Sequence, residues 1–210
     1  MYSPKEEFWN VFSHGSGLAL SILAVFLLLE RACDYSNLAL TLSFGVFGIS
    51  LVVLYAASTF YHSAKDPKTR FKLKIFDHIA IFILIAGTYT PFSVVTLQGS
   101  TGWTILGVAW GIAFIGTMLK IFFTGRFKIL STLLYVGMGW IIVFAISPLL
   151  QNLSMAGLWW LFAGGMAYTL GAILYNVPRI KYNHAIFHVF VLLGSFCHFM
   201  SIYNHVIPAN

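Results

Sequence analysis

Seven times along its 210 residues the chain runs for about twenty positions almost free of charge, and this recurrence limits the possible folds more than any other feature. An α-helix needs roughly 20 mostly apolar residues to cross the hydrocarbon of a bilayer. The runs lie near 12–30, 39–62, 75–96, 103–123, 129–149, 156–176 and 184–204. Hydrophobic residues make up 59% of the chain and charged residues 9%, against about a quarter charged in soluble domains. A soluble core of this size cannot hide so much apolar surface, so the solvent of these helices is lipid. The connections are short and no internal repeat is evident. The expected fold is an all-α integral membrane protein, one seven-transmembrane-helix bundle over residues 1–210 with no extramembrane domain.

The net charge of +6 is concentrated between the runs. Lys5, Lys65, Lys68, Arg70, Lys72, Lys74, Lys120, Arg126, Lys128, Arg179 and Lys181 all fall on the side that holds the N-terminus, and Arg31 alone falls on the other. Basic residues placed in this way read as topology determinants and not as a nucleic-acid surface. They predict a cytoplasmic N-terminus and an outside C-terminus. An even number of spans would scatter them over both faces. The start MYSPKEEFWN lacks the basic opening and small-residue cleavage site of a secretory signal, so the first run is expected to be retained. Cys33 and Cys197 form neither a disulfide framework nor a metal cluster. Gly107 and Gly111, four apart, predict close helix approach within the bundle. Pro91, in AGTYTPF, predicts a kink or an end in the upper part of the third run.

Polar side chains inside a membrane are costly and mark function by default. Glu7, Asn10 and His14 are spaced three and four apart and share a face if the first helix extends back that far. Ser58 and His62 are four apart at the end of the second run, Asp77 lies in the first turn of the third, and His184 and His188 are four apart at the head of the seventh. The topology puts all of them at the cytoplasmic ends of their helices, so four helices deliver polar groups to one depth. Zinc is a candidate occupant, since it takes neutral imidazole and, in open sites, three protein ligands. Two histidines at i and i+4 chelate a metal in the HExxH motif, but H-A-I-F-H has no internal glutamate. The base or orienting carboxylate must come from elsewhere, with Asp77 first and Glu7 second. His78 and His205 read as interfacial residues. His198, roughly 21 Å along the axis from His184, is too far to join the same metal and is a candidate for the bundle interior.

The motifs ExxNxxxH at Glu7–His14, SxxxH at Ser58–His62, Asp77 followed by GTYTPF, and HxxxH at His184–His188 resemble those of the hemolysin III family. That family is a bacterial branch of the group that contains the progestin and adiponectin receptors and, more distantly, alkaline ceramidases. The resemblance runs from residue 7 to about 204. It implies seven helices with the N-terminus inside and a zinc ion held by His62, His184 and His188. It further implies that Asp77 binds the water on that zinc, with Ser58, Glu7, Asn10 and His14 in supporting positions. The long soluble N-terminal extension of the eukaryotic receptors is absent, which favours the compact bacterial type and a place in the bacterial inner membrane.

Three functions follow as expectations. One is a metal-dependent hydrolase that cleaves a lipid amide or ester at the cytoplasmic side, with Asp77 as general base and a role in membrane homeostasis. Membrane lipids are then both environment and substrate. Another is a non-enzymatic regulator or receptor whose zinc is structural. The third is a pore, which the polar residues support poorly, because they cluster at one end and do not repeat along a helix.

Overall fold

The computed structural model describes residues 2–208. Helix α1, Pro4–Cys33, opens on the capping box S-P-K-E, in which the Ser3 hydroxyl accepts from the Glu6 amide at 3.2 Å and Pro4 occupies the first turn. Helix α2, Leu38–Ser63, starts where the Asn37 side chain accepts from the Leu40 amide at 2.9 Å. Helix α3, Pro67–Pro91, starts at Asp66, which accepts from the Thr69 amide at 2.8 Å and the Thr69 hydroxyl at 2.7 Å. The charges in the first turns of α1 and α3 hid these turns from a count of apolar residues, which placed the starts at 12 and 75. One consequence is that Asp77 lies nearly three turns into α3 and not in its first turn.

Helix α3 ends at Pro91, whose ring nitrogen carries no hydrogen to donate, and a π-helical turn over Phe92–Leu97 carries the chain on to α4, Gly99–Phe123. The fifth span is discontinuous. It consists of α5, Lys128–Gly139, a 3-10 turn over Ile141–Ala145, and α6, Ile146–Asn152. Helices α7, Met155–Tyr175, and α8, Asn183–His205, complete the chain. Among the described residues, seven segments are long and apolar enough to cross a membrane.

A break inside a bilayer is tolerated only where protein satisfies the freed backbone groups. Tyr89 of α3 does this for the fifth span. Its hydroxyl donates to the Gly139 and Met138 carbonyls, at 2.8 and 3.0 Å, and accepts from the Ile142 amide at 3.0 Å.

Helix α1 packs between α2 and α8, α2 packs on α3, α8 packs on α7, and both α7 and α3 touch α5. This ring encloses a cavity of about 500 Å³, and α4 flanks it against α3 and the π-helical turn. Close approach is built at Gly17, where a Cβ would come within 2.5 Å of the Tyr55 ring, and not at the pair expected from its spacing. Gly107 and Gly111 are exposed, and a Cβ on either would meet nothing within 4 Å. The expectation of close packing there is therefore corrected, because spacing of small residues does not say which side of a helix they occupy. Large apolar side chains such as Phe26, Trp103, Phe114 and Phe144 cover the outer faces, as a lipid solvent requires.

Candidate metal centre

The N-terminal ends of α1 and α8 and the C-terminal end of α2 meet at the end of the bundle that carries the N-terminus. His62 stands next to the last residue of α2, and His184 and His188 occupy the first two turns of α8 on one face. One ring nitrogen from each lies within 4.8 Å of the other two, and all three side chains are buried. The Nε2 atoms of His62 and His184 are 3.0 Å apart. Zinc bonds of 2.0–2.1 Å in a tetrahedron hold nitrogens about 3.3 Å apart. Three buried imidazoles at this spacing, with the Nδ1 of His184 unpartnered, fit the donor set of an open zinc site.

Glu7, not Asp77, is the carboxylate bonded to this group. Its Oε2 accepts from His62 Nδ1 at 2.7 Å and from the Asn10 amide group at 3.3 Å, and its Oε1 pairs with Arg70. Arg70 is fixed in turn by the Ala64 carbonyl at 3.2 Å and by the Tyr61 ring, 4.9 Å below its guanidinium. With Nδ1–H donated to Glu7, the network assigns the His62 lone pair to Nε2, which faces His184. A carboxylate behind a histidine raises its basicity as a ligand and sets its orientation.

His188 is held differently. His14 stacks on it with ring centroids 3.5 Å apart and 14° between planes, and the Ser13 hydroxyl lies 3.4 Å from its Nδ1. His14 meets Tyr55 edge-on at 5.1 Å, and neither of its own ring nitrogens has a partner. Tyr2, ahead of α1, stacks on His184 with centroids 4.6 Å apart. Burial raises the Tyr2 phenol well above its ordinary pKa, so this cover over the site is a neutral one.

Asp77 and Ser58 line the same cavity as His184 and His188, but Asp77 does not join the three-nitrogen group. The serines at 21, 43 and 50 donate to carbonyls of their own helices, those of Leu18, Leu40 and Phe47. Ser58 has no such bond, and its buried hydroxyl is unpartnered. The local backbone alternative that weakens a lone serine as a signal is therefore not the one used here.

His198 lines the cavity farther along, donating from Nε2 to the Leu161 carbonyl at 3.2 Å. His205 sits at the far end of α8 against the Ser154 hydroxyl at 2.8 Å. His78 departs from the interfacial reading. It lines the cavity, with Nδ1 donating to the Lys74 carbonyl at 2.6 Å and lying 3.8 Å from Asp77. Sequence reasoning also missed Ser13, Arg70 as the partner of Glu7, and the basic side chains of the cavity wall. Lys120, taken for a topology residue, has only 5% of its surface accessible.

Comparison with known proteins shows the family of the chain. The family model described as "Haemolysin-III related" matches residues 2–199. The chain is 45% identical to "Hemolysin-3" of Bacillus cereus over 204 residues, covering 97% of this chain and 93% of that one. It is 45% identical to "Hemolysin-3 homolog" of Bacillus subtilis (strain 168) over 202 residues, covering 96% and 95%. "Monocyte to macrophage differentiation factor" of Homo sapiens is 26% identical over 170 residues, 77% of this chain and 69% of that one. With seven apolar spans, a buried histidine group able to hold a metal, and matches over nearly its whole length, the chain belongs to the haemolysin-III-related family of integral membrane proteins.

Proposed function

We propose that this protein is a zinc-dependent intramembrane hydrolase of a lipid amide or ester, working at the end of the bundle that its basic loops mark as cytoplasmic. One observation carries the reading. Two members of the three-histidine group, His184 and His188, line a cavity of about 500 Å³ whose farther walls, with Leu149, Leu158 and Phe162, are apolar. A polar reacting group at a bilayer interface joined to an acyl chain has the same two-part character.

Zinc held by His62, His184 and His188 would supply Lewis-acid chemistry, polarising a carbonyl and activating water near neutral pH. The residues of the chain do the rest. Asp77 accepts the proton of the attacking water as general base. The unpartnered Ser58 hydroxyl orients the reacting group. Glu7 and Asn10 fix His62, and Ser13 and His14 fix His188. The apolar cavity holds the acyl chain and keeps bulk water out. The physiological role we assign is membrane homeostasis in the inner membrane of a bacterium.

The test is metal content by mass spectrometry on detergent-purified protein, beside His184→Ala/His188→Ala. Stoichiometric zinc that vanishes in the variant is expected, together with acid release from a lipid panel that is lost on chelation and in Asp77→Asn. Folded wild-type protein without metal would sink the proposal.

A second reading has its own support, because the three nitrogens come from α2 and α8, far apart in sequence, and a metal there would staple them. In that reading the protein is a regulator or receptor and the zinc is structural. Asp77→Ala would then leave cellular function intact while His62→Ala lowered stability.

A further inference from the structure

Positive-inside sorting accounts for basic residues that face water, but not for a lysine buried in the wall of a cavity. Lys120, in the last turn of α4, has 5% of its surface accessible. Its ammonium bonds to the Ser131 hydroxyl and lies 5.7 Å from the centroid of the Tyr135 ring. Among the described residues no carboxylate lies within ion-pair distance of it. An ammonium taken out of water without a counter-charge is costly.

Lys74, Arg126 and Lys128 line the same cavity, and Asp77 is the single carboxylate among the lining residues. One of these cations, Lys128, sits one layer of side chains from the histidines. The Lys128 ammonium stands 3.8 Å from the centroid of the Tyr175 ring, which is itself 5.3 Å from that of His184. The Lys74 carbonyl accepts from His78, the neighbour of Asp77, and the Tyr135 hydroxyl donates to the His78 carbonyl at 3.0 Å. The hydroxyl-bearing Ser131 and Thr132 line the cavity alongside.

We infer that Lys74, Lys120, Arg126 and Lys128 form a binding site for the phosphate of an anionic glycerophospholipid whose acyl chain runs down the apolar part of the cavity. Four cations against a single carboxylate in the cavity lining exceed what a neutral headgroup needs, and they match a phosphate, which accepts several charge-assisted hydrogen bonds at once. The inference builds on the proposed hydrolase by naming its substrate class, but it is read by binding and not by turnover. Phospholipid that binds and is never cleaved would leave the phosphate site standing and count against the hydrolase alone.

The experiment uses full-length protein in neutral detergent, titrated separately with dioleoyl phosphatidylglycerol, dioleoyl phosphatidylcholine, oleate and inorganic phosphate. Thermal stability and native mass spectrometry are the readouts. Phosphatidylglycerol should raise the melting temperature and stay bound where phosphatidylcholine does not. Lys120→Met should weaken phosphatidylglycerol binding about tenfold or more with zinc content unchanged. Lys128→Gln, at an exposed position, provides the same test if Lys120→Met fails to fold. Equal binding of the two phospholipids, or full binding by the variants, would overturn the assignment. Inorganic phosphate acting as strongly as the lipid would turn it into a free-anion site. Oleate that displaces phosphatidylglycerol and binds more tightly would turn it into a carboxylate site.

Discussion

The third span, Pro67–Leu97, and the fifth, Lys128–Asn152, have mean hydropathies of 1.8 and 2.2 over their most apolar stretches, yet 72% of that stretch is buried in protein in the third span and 11% in the fifth. In a lipid solvent, apolarity does not draw helices together, so packing is decided by shape and by polar contacts. The third span has both. Gly87 lets α2 approach closely at Ser50, and Phe82 packs over Gly116 of α4. The fifth has a turn in its middle, satisfied by Tyr89, and its inner side is a cavity wall. One span serves as the frame and the other as the wall beside the space where a ligand would lie.

A matched pair of substitutions provides the severest test of this contrast. Gly87→Ala places a Cβ within 2.7 Å of the Ser50 Cβ, so overpacking should cost about 2–3 kcal/mol and lower the apparent melting temperature in detergent. Gly137→Ala in the fifth span meets nothing within 4 Å and should change stability by no more than about 0.5 kcal/mol. Equal losses would erase the distinction between frame and wall.

The histidine-bearing side of the cavity, α1, α2 and α8, should behave like the frame. Glu7→Ala removes the carboxylate behind His62 and should weaken zinc binding at the proposed site about 10–100-fold, measured by competition with a chelator. Unchanged affinity would mean that Asn10 alone orients the ring.

Tyr89→Phe sharpens the comparison at the hydroxyl of the third span that satisfies the break in the fifth. Leaving the Ile142 amide and the Gly139 carbonyl without that partner should cost about 1–2 kcal/mol. Amide exchange should quicken at Trp140–Ala145 while α3 stays protected.

The smallest effect belongs to the cap that starts the third span. Two hydrogen bonds from Thr69 hold the exposed Asp66 carboxyl below its usual pKa. A depressed folded-state pKa contributes stability above the pKa of the unfolded chain, and this is lost as pH falls through the lower folded value. Melting temperature should therefore drop slightly more on acidification in wild type than in Asp66→Asn, whose cap does not titrate.

Much of this architecture is legible in the sequence. Seven apolar runs specify the spans, because a helix of fixed rise must cover a fixed thickness of hydrocarbon. The spacing of His184 and His188 puts them on one face, as it does Ser58 and His62. The starts of α1 and α3 were written as S-P-K-E and D-P-K-T, cap signals that a hydropathy count passes over. These are local properties, carried by each segment alone.

Only the tertiary structure decided which faces meet. It set α8 beside α1 and α2, so that His62 and His184 stand 3.0 Å apart, and it gave His62 to Glu7 instead of Asp77. It turned Gly107 and Gly111 outward and folded Lys120 into a cavity wall. The physical reason is that length and apolarity act on one helix at a time, whereas the neighbours of a side chain depend on how two or more helices rotate and pack against each other.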